Sequence, residues 1–170
     1  METNILILSG PTHEYIDPVR FVGNASSGKM GRALAAEAAR RGAAVEFVTG
    51  PVPAGNLPHL DAARIHRVTS AAEMLVAAES LFATADIVLF AAAVADYAPA
   101  RRFEQKQPKS RNVLVLRLRP TADIAATLCA TKRPGQIAIG FALQTNEGEA
   151  CARQKLEAKR REAMQIVGME

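Results

Sequence analysis

The sequence predicts a doubly wound α/β domain, in which a mostly parallel sheet carries helices on both faces. Short apolar runs at residues 5–8, 43–49 and 86–90 are typical of strands that are buried on both sides. Helical segments separate these runs, as right-handed βαβ units require. The alternation of apolar strands with helices therefore predicts the fold class before any motif is considered.

Two helices have clear signals at their ends. Residues 28–41 are rich in Ala and are closed by Gly42, which suits the position just after a helix. Residues 70–85 begin with Ser70 and Glu73, the spacing of a capping box at a helix N-terminus. These signals predict one helix after the first strand and another before the strand at 86–90.

The second half of the chain varies this pattern. Residues 112–119 alternate Leu with Val and Arg, which predicts a strand with one face toward solvent or a partner, antiparallel or at a sheet edge. Residues 12–27 form a polar connection too long for an ordinary strand-to-helix loop, so we expect it to be functional. The remaining predicted elements are strands at 64–68 and 136–141, a helix at 121–132 and a charged helix from Asn146.

The size and composition indicate a single globular domain over residues 1–170. No apolar run approaches the roughly 20 residues that span a bilayer, and the N-terminus lacks the basic region of a signal peptide. The two cysteines, Cys129 and Cys151, form no C-x-x-C pair, which favours reduced thiols in a cytoplasmic protein. The composition thus predicts no membrane partner.

The net charge of +4 is concentrated in two clusters, at residues 101–111 and 153–161. Such clusters suit a polyanion, which could be a nucleic acid or a nucleoside triphosphate. Only 5% of residues are aromatic and Trp is absent, so the rings that stack on bases are lacking. We therefore expect no nucleic-acid partner and favour a small anionic ligand.

The stretch GNASSGKMG at residues 23–31 resembles a phosphate-binding P-loop but departs from it. A P-loop follows its strand almost directly, whereas 14 residues separate Leu8 from Gly23, and Met30 stands where a Mg²⁺-binding hydroxyl is required. No G-x-G-x-x-G follows the first strand, which disfavours a nicotinamide loop. What remains is an anion site at a helix N-terminus, with Asn24 either a positioning group or a turn residue.

The ends of four predicted strands indicate where the ligand site lies. In a doubly wound sheet, ligands lie beyond the carboxyl ends of the strands. The segments SGPT, TGP, AAAVADY and GFALQTN follow predicted strands, and their small residues allow a ligand to approach the backbone.

The motifs GPTHEYIDPVRFVGNASSGKMG, AAAVADY, EQK, GFALQTN and ARQKLEAK, in this order, resemble the phosphopantothenoylcysteine synthetase domain. This domain is the second half of the bacterial bifunctional coenzyme A biosynthesis flavoprotein, and it has a Rossmann-like fold. The resemblance implies a CTP-dependent phosphopantothenate–cysteine ligase. CTP would activate the carboxylate of 4′-phosphopantothenate as an acyl-cytidylate, and cysteine would then form the amide.

The resemblance also implies the site residues. Asn24 would act on the acyl-cytidylate, and Lys106 would be the second catalytic residue. Mg²⁺ would accompany CTP without a dedicated metal site in the protein. The implied nucleotide contacts are Ala91, Ala92, Asp96, Lys106, Asp123, Ile124, Phe141, Lys155 and Lys159.

The phosphopantothenate site implied by the resemblance lies around the GNASSGKMG stretch and the strand end at 91–93. The implied phosphopantothenate contacts are Asn24, Ser26, Ser27, Gly28, Lys29, Met30, Ala92 and Ala93.

Two of the implied nucleotide contacts, Lys155 and Lys159, are four positions apart, so one helical face can bring both to a single phosphate group.

The sequence also departs from the family. Residues 160–170 do not reproduce the family's usual C-terminal end, which raises the alternative of a non-catalytic nucleotide-binding protein. A nicotinamide-dependent reductase is a further alternative. We expect no flavin, because the FMN-binding half is not found in this sequence. The alternating strand at 112–119 resembles the family's dimerisation arm, so we expect a homodimer.

Overall fold

The structure, a computed structural model, describes residues 2–109, 111–144 and 163–168. The helix predicted from Asn146 lies outside the described residues. Short 3₁₀ turns occupy Ala54–Asn56 and Ala62–Arg64. The elements in chain order are β1 (Asn4–Ser9), β2 (His13–Tyr15), β3 (Phe21–Gly23), α1 (Lys29–Arg40), β4 (Ala44–Thr49), β5 (Ile65–Arg67), α2 (Ala71–Phe82), β6 (Ile87–Phe90), β7 (Tyr97–Pro99), β8 (Leu118–Pro120), α3 (Ile124–Cys129), β9 (Ile137–Gln144) and β10 (Ala163–Gly168).

The main sheet is parallel throughout and has the order β10-β9-β6-β1-β4-β5. From β1 the chain winds outward through β4 and β5, and then returns to the other side of β1 with β6, β9 and β10. The strands are apolar because both faces of the sheet are covered. The predicted doubly wound α/β fold is confirmed, and β1 is its central strand.

Two apolar layers hold the helices on the sheet. On one face α1 packs through Ala35 and Ala38 against Ile7 and Phe47, which is fully buried. On the other face α2 and α3 share a larger layer with β1 and β6, and Met74 is fully buried within it. Full burial of a side chain of this size stabilises the fold by about 1.5–3 kcal/mol.

Ser70 caps α2 as predicted. Its Oγ accepts a hydrogen bond from the Glu73 amide at 3.2 Å, and Glu73 Oε2 accepts one from the Thr69 amide at 2.8 Å. Both side chains thus accept hydrogen bonds from backbone amides at the start of this helix, which fixes its first turn. The capping prediction is confirmed.

The connection at 12–27 contains a hairpin that the sequence analysis did not predict. β2 and β3 pair antiparallel, with Glu14 opposite Val22. The hairpin is docked on α2, because the buried Glu14 Oε1 accepts from the Ala71 amide at 2.8 Å. The His13 amide donates to the Thr69 carbonyl at 2.8 Å. A carboxylate at a helix N-terminus is favourable, so Glu14 anchors the hairpin electrostatically as well.

The alternating strand predicted at 112–119 is mostly wrong. Only Leu118–Pro120 is a strand, antiparallel to Tyr97–Pro99 in a separate two-stranded sheet. Residues 112–117 form no ladder, and Val113, Leu114 and Val115 are all exposed. The alternation therefore does not sort these side chains into a buried face and a wet face. The antiparallel pairing itself agrees with the prediction.

Across the described parts of the chain, no helix is both long enough and apolar enough to cross a bilayer.

The predicted helix at 121–132 is shorter in the structure, where α3 begins at Ile124. Cys129 is buried in α3, and Cys151 lies outside the described residues.

Candidate functional site

The carboxyl ends of β1 and β6 meet where the strand order reverses, which is the place for a ligand in this fold. Their pairing continues past both strands. The Ala91 amide donates to the Leu8 carbonyl at 2.9 Å, and the Ala93 amide donates to the Gly10 carbonyl at 2.8 Å. Pro11 and Ala93 then form a parallel bridge. The predicted strand ends SGPT and AAAVADY are thus fixed side by side.

Asn24 lies at this junction, immediately after the hairpin. Its Nδ2 donates to the Val94 carbonyl at 2.8 Å, across 70 positions of sequence, and its side chain is exposed. The hydrogen bond sets the direction of the amide group, so its oxygen is left for a ligand. The structure thus brings Asn24 to Val94, the residue that follows Ala93 in the segment after β6; its catalytic role stays a prediction.

The N-terminus of α1 is uncapped by any described side chain. Gly28 occupies the N-cap position with φ 73°, a left-handed conformation that disfavours other residues, and makes no side-chain cap. Lys29 and Met30 follow and are exposed. Free amides at a helix start carry a partial positive charge, so this end of α1 can hold an anion.

Ser26 and Ser27 form the approach to that helix. Ser26 Oγ accepts from the Gly28 amide at 3.4 Å, and Asn56 Nδ2 donates to the Ser27 carbonyl at 2.9 Å. The loop around Asn56 therefore holds the serines in place. The predicted phosphopantothenate contacts around α1 are contiguous in the structure.

Ser9, which the sequence analysis did not select, lies beneath the same helix start. Its Oγ is fully buried and has no hydrogen-bond partner among the described residues. Gly31 is the reason the two can be so close, since a Cβ on Gly31 would lie 2.0 Å from Ser9 Oγ. A buried hydroxyl without a partner is unfavourable, so Ser9 marks a place where a polar ligand atom or water is favoured. Its position at the end of β1 was the available signal.

Asp96 is exposed at the outer end of the crevice, on a backbone that is well fixed. Thr12 Oγ1 accepts from the Ala95 amide at 2.9 Å, and Thr121 Oγ1 donates to the Ala95 carbonyl at 2.6 Å. The Thr121 amide donates to the Asp96 carbonyl at 2.9 Å. The Asp96 carboxylate thus projects from a fixed backbone and is open to a ligand.

Asp123 and Ile124 have evident duties in the fold. Asp123 caps α3 by accepting from the Ala126 amide at 3.0 Å, and Ile124 is buried in the core layer shared with α2. A nucleotide could reach Ile124 only through its backbone. Their predicted nucleotide contacts stay predictions.

Phe141 is half-buried near the carboxyl end of β9, one position beyond the pairing of Phe90 with Gly140. It therefore lies at the same edge of the sheet as the strand ends above. Lys155 and Lys159 lie outside the described residues, so their predicted convergence on one phosphate stays a prediction.

Lys106 is exposed in the segment 101–109, which is attached to the hairpin. The Phe103 amide donates to the Ile16 carbonyl at 2.8 Å, and the Gln107 amide donates to Asp17 Oδ2 at 3.2 Å. Sequence reasoning did not find this attachment of the segment to Asp17.

Two ionisable groups of the hairpin have perturbed pKa values. Hydrogen bonds from Arg20 hold the pKa of Asp17 well below its usual range. Burial lowers the pKa of His13, which stacks on the Phe21 ring with centroids 3.7 Å apart. Asp17 therefore stays charged near neutrality.

In the described ranges no cluster of three His, Cys, Asp or Glu side chains could hold a metal ion.

Fold and crevice together define an α/β protein with an uncapped helix N-terminus, which can hold an anion, and with the Asn24 amide bound to the Val94 carbonyl. The family model of the DNA/pantothenate metabolism flavoprotein C-terminal domain matches residues 1–167. The chain belongs to this family.

The curated relatives agree with this assignment. The chain is 44% identical over 156 residues to the coenzyme A biosynthesis bifunctional protein CoaBC of Bacillus subtilis (strain 168), covering 92% of this chain and 38% of that protein. It is also 44% identical over 155 residues to a cysteine/cysteine sulfinic acid decarboxylase of an unknown prokaryotic organism, covering 91% of this chain and 43% of that protein. The chain thus spans about two fifths of the length of these relatives.

Solved structures share the fold. The crystal structure of the C-terminal domain of CoaBC is 41% identical with a TM-score of 0.78, covering 98% of this chain and 76% of that chain. A Cab2 mutant in complex with phosphopantothenate-cysteine is 17% identical with a TM-score of 0.76, covering 98% and 73%. At that identity the second likeness shows the fold alone.

Proposed function

We propose that the chain is a phosphopantothenate–cysteine ligase of coenzyme A biosynthesis that uses CTP. A phosphopantothenate carboxylate oxygen attacks the α-phosphorus of CTP, and pyrophosphate leaves. The amine of cysteine then attacks the acyl carbon and loses a proton. CMP leaves and keeps the former carboxylate oxygen that joined its phosphorus to the acyl carbon. Membership of the family and 41% identity to the C-terminal domain of CoaBC support this reaction class.

The observation that carries the proposal is the hydrogen bond from Asn24 Nδ2 to the Val94 carbonyl. It fixes the amide at the strand-order reversal, next to the uncapped start of α1. An amide held in one orientation can act on the acyl group without reorganising during the reaction. Such preorganisation is what the attack of an amine on a mixed anhydride requires.

The start of α1 is proposed to bind the phosphate of 4′-phosphopantothenate. The amides after Gly28 and the hydroxyls of Ser26 and Ser27 are donors suited to phosphate oxygens. The hydroxyl of Ser9, which has no hydrogen-bond partner in the described part of the chain, adds a donor below the same helix start. The acyl end of the substrate would then extend toward Asn24 and Ala92.

The nucleotide is proposed to lie along the β6 end, with Asp96 contacting the cytidine and Lys106 neutralising phosphate charge. CTP enters as its Mg²⁺ complex, and Mg²⁺ in such complexes keeps several waters. Asp96 and Lys106 are both exposed, as residues that meet a ligand must be before it binds. Lys155 and Lys159 complete the proposed nucleotide set.

A second copy of the chain is proposed to cover the exposed apolar side chains of the segment 113–119. Val113 is 89% exposed and Val115 is 80% exposed. Neighbouring apolar side chains at such exposure are typical of an interface. Light scattering at matched concentrations would show a loss of dimer in a Val113→Ser/Val115→Ser variant. An unchanged mass of the variant, or a monomeric wild-type chain, would refute the proposed dimer contact.

The reaction is tested with the purified chain, CTP, 4′-phosphopantothenate and cysteine, with the amide product measured by mass spectrometry. Omitting cysteine isolates nucleotidyl transfer, which releases pyrophosphate. Product formation supports the ligase. Thermal stabilisation by CTP without pyrophosphate release would instead indicate a non-catalytic nucleotide-binding protein, and stabilisation by NADPH alone a reductase.

Comparing ATP and CTP side by side at equal concentrations tests the choice of nucleotide. Faster turnover with CTP supports the proposal, and equal or faster turnover with ATP overturns that part of it. The proposal also places the reaction in the cytoplasm, as the spacing of the two cysteines in the sequence favours.

A further inference from the structure

Asp17 is a buried carboxylate in the turn between β2 and β3. Its side chain is fully buried, yet it keeps its charge because five donor atoms surround it. Oδ1 accepts from the amides of Val19 and Arg20, each at 2.9 Å. These two hydrogen bonds close the turn locally.

The second oxygen, Oδ2, has a different set of partners. It accepts from Arg20 Nε at 2.9 Å and Arg20 Nη2 at 2.5 Å. It also accepts from the Gln107 amide at 3.2 Å, which is 90 positions away in the sequence. Oδ2 therefore serves a long-range contact that the turn itself does not need.

Arg20 completes this contact from the other side. Its Nη2 donates to the Gln107 carbonyl at 2.9 Å, so both backbone groups of Gln107 are bound by the Asp17–Arg20 pair. Four residues earlier, the Phe103 amide is bound to the Ile16 carbonyl at 2.8 Å. Lys106 thus lies between two fixed points of the same segment.

The chemistry of Asp17 indicates that this arrangement has a purpose beyond the turn. An Asn or Ser at this position could accept the two turn amides without placing a charge in the interior. A buried carboxylate is tolerated only with strong, well-directed partners, and here those partners are Arg20 and Gln107. The charge therefore serves the anchor of Gln107 as well as the pair with Arg20 in the turn.

We propose that Asp17 is a positioning residue, which with Arg20 fixes the backbone of Gln107 and thereby holds Lys106 at the nucleotide. The role of Lys106 rests on the proposed function, whereas the anchor does not. A lysine ammonium on a long flexible stem is effective only if its backbone is fixed. Misplacement by about 1 Å can lower a rate about a hundredfold.

The anchor is tested first without any activity measurement, by limited trypsin digestion of the whole chain. Because the backbone of Phe103 and Gln107 is bound to the hairpin, we expect cleavage after Lys106 to become fast when that segment leaves the hairpin. We expect Asp17→Asn to increase the rate of cleavage between Lys106 and Gln107 by about tenfold or more, since hydrogen bonds to a charged group are lost. The matched control is Glu37→Gln, which also removes a carboxylate paired with an arginine three positions later.

Two further measurements keep this test decisive. Cleavage after Arg32, within α1 and away from the Glu37 pair, reports global unfolding, so the ratio of the two cleavage rates isolates the segment. Asp17→Ser retains a turn acceptor but cannot reach Gln107, and it should release the segment as Asp17→Asn does. An unchanged ratio in both variants overturns the anchor.

The consequence for catalysis is tested by combining variants. We expect Asp17→Asn to lower kcat by about tenfold to a hundredfold with KM for phosphopantothenate within about twofold. In a Lys106→Gln background the same change should cost less than about twofold, since both act through one group. Independent, multiplying losses overturn the positioning role. If the wild-type chain makes no product, the proposed function fails, while the digestion ratio still decides the anchor.

Discussion

Gly31→Ala tests how closely α1 approaches the end of β1. An added Cβ would lie 2.0 Å from Ser9 Oγ and 2.5 Å from Ser9 Cβ. Rotation of the hydroxyl relieves the first contact but not the second. Ordinary contact begins at 3.4 Å, so helix and strand must separate by about 0.9 Å (3.4 − 2.5).

Forcing extra volume into a packed interface costs about 1–3 kcal/mol. Near the middle of that range, a chain of this size should unfold at a temperature about 4–8 °C lower. The assay is thermal unfolding followed by circular dichroism, with the same variant then titrated with 4′-phosphopantothenate. Binding should weaken too, because the amides at the start of α1 move with the helix.

The control for this experiment is Gly55→Ala, where an added Cβ meets nothing within 4 Å. Both substitutions restrict the unfolded chain equally, so their difference isolates the contact with Ser9. Adding Ser9→Gly to Gly31→Ala should restore part of the stability through a coupling of about 1 kcal/mol or more. If Gly31→Ala is as stable as Gly55→Ala, the close approach is wrong.

Three further predictions concern single side chains. Asn24→Asp replaces the donor to the Val94 carbonyl with a carboxylate, so we expect pyrophosphate release to continue while amide formation slows by about a hundredfold or more. Amide formation at the normal rate would contradict this role. Lys106→Gln should lose most activity, by about a hundredfold in kcat, with an unchanged unfolding temperature because the side chain is exposed; a steady-state assay paired with thermal unfolding checks both, and retained activity would remove Lys106 from the site. Hydrogen bonds from Arg40 and Arg41 lower the pKa of Glu37 from 4.5 to about 2. The folded carboxyl binds its proton less readily than the unfolded one, so its contribution to stability is present above pH 4.5 and is lost as the pH falls toward 2. Glu37→Gln should remove that part of the acid dependence in urea titrations, and identical acid profiles would exclude the contribution.

The local sequence pattern was sufficient to predict those elements whose own residues determine their burial or their ends. The strand β1 is an uninterrupted apolar run and is central in the sheet, and Ser70 with Glu73 specified the start of α2. The strand ends that form the crevice could be predicted as well, because parallel strands place their carboxyl ends at one edge.

Features that depend on distant partners could not be predicted in this way. The three-residue strands β2 and β3 are too short to show a period, and they are held by Glu14 on α2. The contact of Asp17 with Gln107 joins two polar loops whose neighbourhood no local pattern encodes. Residues 112–117 alternate as a strand would, but a strand also needs a partner strand, and among the described residues only Leu118–Pro120 of this stretch pairs with one.

The central place of β1 has a consequence for biosynthesis of the chain. Asn24 and its partner carbonyl on Val94 are 70 positions apart, so the crevice acquires its second wall only when β6 has emerged and paired. Contacts of such long range form late and slowly. A nascent chain that ends before β6 therefore contains the whole GNASSGKMG stretch without a pocket, and capture of substrate would report that the second half of the sheet has assembled.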